Sequence, residues 1–113
     1  MHELSLMEEM LDLIEAQARE EGCSRIHVVT LRVGRLAGVE VEALRFAFDV
    51  VTKGTLAEGA RLELEEPPGM GWCERCQQEV EVAARFEPCP LCLQGPVRLT
   101  DGTQVLVMSM DVA

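Results

Sequence analysis

The sequence predicts an α+β fold, a small three-stranded sheet packed with two helices and carrying an inserted zinc-ribbon module. Three observations predict it. Two stretches repeat their apolar residues at helical spacing, three others show strand patterning, and between Pro68 and Pro96 both periodicities vanish while four cysteines appear. At 113 residues the chain has the length of one domain, or of one domain with a small appended module.

The first helix is read in "SLMEEMLDLIEAQAREEG", where Met7, Met10, Leu11, Ile14 and Ala18 share a face and the carboxylates fall largely opposite. Ser5 followed by Glu8 reads as a capping box, which starts the helix near residue 6 and leaves Met1 to Leu4 outside it. Gly22 supplies the left-handed residue that ends it. "RIHVVTLRVG" is rich in β-branched residues and reads as a strand over 25–33, too continuously apolar for a face washed by solvent. A second helix follows in "EALRFAFDVVTKG", with Leu44, Ala47, Phe48 and Val51 on one stripe and Gly54 as its stop. "ARLELEEPP" alternates Leu62 and Leu64 with charged residues, the period of a half-buried strand, and Pro67 and Pro68 close it. The last strand is read over 104–112. The strand, helix, strand order favours a right-handed crossover between parallel neighbours. These elements divide the chain into a discontinuous α+β domain, residues 1–68 and 97–113, and an inserted four-cysteine domain, residues 69–96.

Hydrophobic residues make up 48% of the chain, enough to bury a core, and with no Tyr, three Phe and one Trp that core is aliphatic. The formal net charge of −10 repels phosphate backbones and anionic membranes, which disfavours nucleic-acid and membrane partners. Neither a long apolar span nor a basic export signal can be read, so a cytoplasmic protein is expected. Nothing resembles a nucleophile with its base or a phosphate-cradling loop, so no enzyme is expected.

The insertion reads "WCERCQQEVEVAARFEPCPLC", two Cys-x-x-Cys knuckles separated by twelve residues. Each knuckle aims two sulfurs at one cation, and Cys73, Cys76, Cys89 and Cys92 together supply the four thiolates of a closed tetrahedral zinc site. An iron–sulfur centre or a redox dithiol pair is the alternative. The segment carries Arg75 and Arg85 against Glu74, Glu79, Glu81 and Glu87, with no basic stripe to follow a nucleic-acid backbone. Too little apolar sequence lies between the knuckles for an independent core, so metal binding is expected to fold this segment.

At the other end of the chain, His2 offers a ring nitrogen, and the amine of Met1 and a backbone amide lie within the same chelate. Such nitrogen-rich sets suit Ni(II) or Cu(II), with Glu3 as a further ligand. A bulky second residue also preserves Met1. On spacing alone this motif is weak, since a histidine near a chain end is ordinarily idle. His27 reads as a structural histidine within its strand, Cys23 as a packed thiol, and Met7, Met10, Met108 and Met110 as core filling.

Nearly the whole chain resembles the HypA/HybF family of hydrogenase maturation nickel metallochaperones. The matching residues are "MHELSL", "LRVGRLAGVEVEALRFAFDVVTKGTLAEGARLELEEPPG", "GWC", both Cys-x-x-Cys pairs and the short final strand. The resemblance implies a nickel site on Met1, His2 and Glu3, with Glu40 as an additional ligand, and a zinc site on Cys73, Cys76, Cys89 and Cys92. A carboxylate at position 40 is equally an ordinary residue of a helix's first turn. The resemblance further implies Ni(II) and Zn(II) as the metals, and a nickel-loading GTPase and the precursor of the hydrogenase large subunit as partners. Urease maturation proteins are further partners it admits, and it leaves a homodimer open. Arg35 stands where relatives often carry Glu, and Leu93 where they often carry Gly, a substitution expected to strain the second knuckle. The competing reading is a zinc-ribbon adaptor with an inert amino terminus.

Overall fold

In the computed structural model, which describes residues 3–113, the elements follow the order α1 (Glu3–Glu20), β1 (Ile26–Val33), α2 (Val41–Val51), β2 (Arg61–Glu65), β3 (Gly69–Cys73), β4 (Gln78–Val82), β5 (Val97–Asp101) and β6 (Val105–Val112). They form two compact units: residues 3–31, 39–64 and 106–113, and residues 32–38 and 65–105.

The first unit is built on the predicted apolar stripes. Met7, Met10, Leu11, Ile14 and Ala18 of α1 are all buried, as are Leu44, Ala47 and Phe48 of α2, and the two helices pack together. The helix after Ala18 ends as expected: Gly22 takes φ +75°, its N–H donates to Arg19 and the Cys23 N–H reaches back to the Ala18 carbonyl, the paired bonds of a Schellman turn. The start of α1 differs from the expectation. The helix already includes Glu3, and Ser5 lies exposed inside it rather than at a cap. Glu3 stands one turn before Met7 on the buried stripe, and its carboxylate accepts the Glu40 N–H at 3.1 Å. That tertiary anchor carries the helix past the local capping signal. At α2, Glu40 is the N-cap and its carboxylate accepts the Glu42 N–H at 3.2 Å.

The three longer-range strands form a sheet in the order β2-β1-β6. Near the start of β1, the Ile26 N–H and the Arg25 guanidinium donate to the Leu56 and Glu58 carbonyls. At its far end Arg32 pairs with Glu65 at 3.1 Å. Both chains therefore advance in the same direction, the parallel neighbours expected. By contrast, Ala113 bonds to Arg25 and Gly34 to Gln104, so β6 runs antiparallel to β1. Ile26, Val29 and Leu31 are fully buried, whereas β6 is an edge strand with most of its side chains open. Met108 is 42% exposed, so it does not fill the core as its spacing suggested, because nothing pairs beyond β6 among the described residues.

The second unit holds an antiparallel sheet in the order β4-β3-β5, with Trp72 registered between Glu79 and Arg98. Its strands carry no alternation long enough to read, and two of the five residues of β3 are glycines. A Cβ on Gly71 would collide with the Val97 side chain and one on Gly69 with Leu36. The Val97 and Leu36 side chains fill the space over these two glycines, so the sheet packs where β3 has no side chain. The unit is also wider than residues 69–96. β5 belongs to the same sheet as β3, the Leu36 N–H donates to Gly102 at 2.8 Å, and Leu36 packs with Val80 and Val82. The contacts that surround the cysteines thus draw in 32–38 and run on to 105.

Candidate metal centre

The two cysteine knuckles are built alike. In the first, Cys73 ends β3, the Gln77 N–H donates to the Cys73 carbonyl at 2.8 Å, and Gln77 turns the chain with φ 53°. In the second, the Leu93 N–H donates to the Cys89 carbonyl at 2.8 Å, and Leu93 turns it with φ 63°. Each knuckle aims backbone donors at its sulfurs: Cys76 N–H to Cys73 Sγ at 3.4 Å, Leu91 N–H to Cys89 Sγ at 3.4 Å, and Gly95 N–H to Cys92 Sγ at 3.3 Å. A hypothetical Cβ on Gly95 would lie 2.9 Å from Cys73 Sγ, so this donor approaches the sulfurs as only glycine can. The spacing between the pairs gave no sign of Gly95. Its one sequence signal is its place three residues after Cys92.

All four sulfurs lie within 4.8 Å of one another, with Cys73 to Cys92 and Cys76 to Cys89 both at 3.8 Å. A regular tetrahedron with zinc–sulfur bonds of about 2.3 Å has edges of about 3.8 Å, which two of the sulfur pairs match, so the donor set suits a four-thiolate ion. Cys73 and Cys89 are fully buried, and together with Leu36, Val80 and Val82 they make up the buried core of the unit. Two of the five residues of this core cluster therefore belong to the candidate metal site. An ion held by all four protein donors would have no open coordination position and no bound water to activate, the arrangement of a structural centre.

The sulfurs are not equivalent before a metal arrives. Withdrawal from water, reinforced by hydrogen bonding with Cys73, Cys89 and Cys92, pushes the Cys76 thiol up to about 12. The backbone amides of Gln94 and Gly95 hold the Cys92 thiol down at about 6.

Of the residues expected at the amino-terminal site, Met1 and His2 lie outside the described residues. Glu3 and Glu40, 37 positions apart, come together where α1 and α2 begin, joined by the bond from the Glu40 N–H to the Glu3 carboxylate. His27 lies exposed on β1 rather than sequestered as a structural histidine, because the pleat turns it away from Ile26. Cys23 is half-buried and stands apart from the four-sulfur cluster. Among the described residues no helix is long and apolar enough to cross a membrane.

Residues 1–112 match the family described as hydrogenase/urease nickel incorporation, metallochaperone, hypA. The hydrogenase maturation factor HypA of Methylocella silvestris is 46% identical over 112 residues, and that of Beijerinckia indica is 48% identical over 112 residues, each match spanning 99% of both chains. The fold is similar to the solution structure of the Ni metallochaperone HypA from Helicobacter pylori, with a TM-score of 0.69 at 20% identity, covering 99% of this chain and 97% of that one. The family and these relatives are described as metallochaperones and maturation factors rather than as enzymes. By the span of the match and the level of identity, the chain belongs to the HypA family of nickel-incorporation metallochaperones.

Proposed function

We propose that this chain binds one Ni(II) at its amino terminus and hands it, in the cytoplasm, to the precursor of a [NiFe] hydrogenase large subunit, while Cys73, Cys76, Cys89 and Cys92 hold a structural Zn(II). The observation that carries the nickel reading is the meeting of Glu3 and Glu40 at the start of both helices. It ties the Glu3 carboxylate, next in sequence to His2, to the backbone of Glu40, a residue whose own carboxylate caps α2. The donors in this reading are the Met1 amine, a His2 ring nitrogen and a backbone amide, with the Glu3 and Glu40 carboxylates as further ligands. Nitrogen-rich donors of this kind suit Ni(II), although Cu(II) binds them more tightly, so selection belongs to metal supply and to the docking partner. A terminal chelate gives up its donors one at a time, which suits transfer. Energy for loading or release comes from a partner GTPase, since this chain has no phosphate-binding loop.

His2→Ala tests the reading. It is expected to weaken nickel binding on the order of a hundredfold, roughly 2.7 kcal/mol, while leaving one zinc per chain. Unchanged nickel affinity in that variant would remove the amino-terminal chelate from the account.

A further inference from the structure

The two edges of the β2-β1-β6 sheet are treated differently by the sequence. On β2, Arg61, Glu63 and Glu65 place three exposed charges in five residues, and Pro67 and Pro68 follow. Charge and proline are the ordinary protections of a sheet edge against another strand. β6 has neither protection. Its eight residues, VLVMSMDV, contain one charge, Asp111, and no lysine or proline. Among the described residues it pairs only with β1, which leaves one row of backbone donors and acceptors without a strand beside it. The side chains along it are apolar and open: Leu106 is 44% exposed, Val107 40% and Met108 42%. Successive side chains on a strand point to opposite faces, so apolar surface is available above and below the edge at once.

Charge selects the occupant. The unit that contains residues 106–113 carries thirteen carboxylates against five cations, a net charge of −8. A second copy of this chain would bring an equal charge against it, and an acidic strand would be repelled. A basic strand meets no cation on β6 and finds Asp111 within it. We propose that the outer edge of β6, over residues 106–112, receives an extended segment of a basic partner, alternating apolar and cationic residues, as a fourth strand of the sheet. Main-chain hydrogen bonds supply affinity in this mode, and the exposed apolar side chains supply register. The inference is independent of the nickel site.

The test uses the full zinc-loaded chain and labelled peptides of about ten residues, one alternating valine with lysine and one alternating valine with glutamate. Binding is followed by fluorescence anisotropy at about 0.15 M salt, and the site is mapped by amide hydrogen exchange. The basic peptide should bind, slow exchange in residues 106–112, and outcompete the acidic peptide by about tenfold or more. Met108→Lys should weaken it by a similar factor while keeping zinc content and helical signal. If Met108→Lys fails to fold, Val107→Lys, on the opposite face, serves the same purpose. Equal binding of the acidic peptide, or protection confined to other elements, overturns the proposal. Protection of β6 that grows with protein concentration in the absence of peptide assigns the edge to a second copy and overturns it as well.

Discussion

Leu93 shows how a single residue sets the cost of a metal site. Its φ of 63° lies in the left-handed region, where a side chain with a Cβ costs roughly 1–2 kcal/mol. With 72% of its surface exposed, the leucine regains little by burial. The knuckle keeps this conformation because the Leu93 N–H must reach the Cys89 carbonyl. Leu93→Gly relieves the steric cost and adds some chain entropy to the unfolded state, so a net stabilisation of roughly 0.5–1 kcal/mol is expected. Denaturant unfolding of the zinc-loaded chain checks this, and a loss of stability would show that the Leu93 side chain makes contacts that its exposure does not reveal. The strain expected at this position was legible in the sequence because the second knuckle fixes the turn. The meeting of Glu3 and Glu40 was not, since no local pattern links positions 37 apart, and the local capping signal at Ser5 is one the helix runs past.

At the level of elements, legibility follows the source of each element's stability. The helices and the sheet of the first unit draw on long apolar stripes, so the residues buried on α1 match the expected face and β1 and β2 fall within a residue or two of their expected bounds. The strands β3, β4 and β5 draw on close glycine packing and four sulfurs instead, and no sequence period announces them. The knuckles also fix a pH dependence. With the Cys76 thiol held up at about 12, metal binding near neutrality must expel its proton, so zinc affinity rises with pH through the neutral range. The Cys92 sulfur, held down at about 6, is already a thiolate there and adds its own proton only in more acidic solution. A chelator competition series across pH should therefore show affinity falling on acidification and falling more steeply below about 6. An affinity flat across that range would contradict the assignment of these sulfurs as ligands.

For the whole molecule, the division of elements between units makes the consequence of metal removal separable. Both helices lie in the first unit, whereas Trp72, the only tryptophan in the chain, lies in β3 beside Cys73. The core cluster around the cysteines has only three buried aliphatic residues, Leu36, Val80 and Val82, too small a core to hold its shape once four thiols are left facing one another. Stripping the metal with a chelator is therefore expected to shift Trp72 fluorescence to the red while far-ultraviolet helical signal persists, and restoring zinc should reverse the shift. Simultaneous loss of both signals would mean that the units unfold as one.

The most direct test of the central claim, nickel carriage by the amino terminus, is a calorimetric nickel titration of the zinc-loaded chain beside a version with one extra residue before Met1. The added residue leaves every side chain in place and removes only the Met1 amine from the chelate. One nickel per chain in the native form and none in the extended form is the predicted result, accompanied by the absorption of square-planar nickel in the native form alone. Equal binding by both, or by neither, would contradict the account.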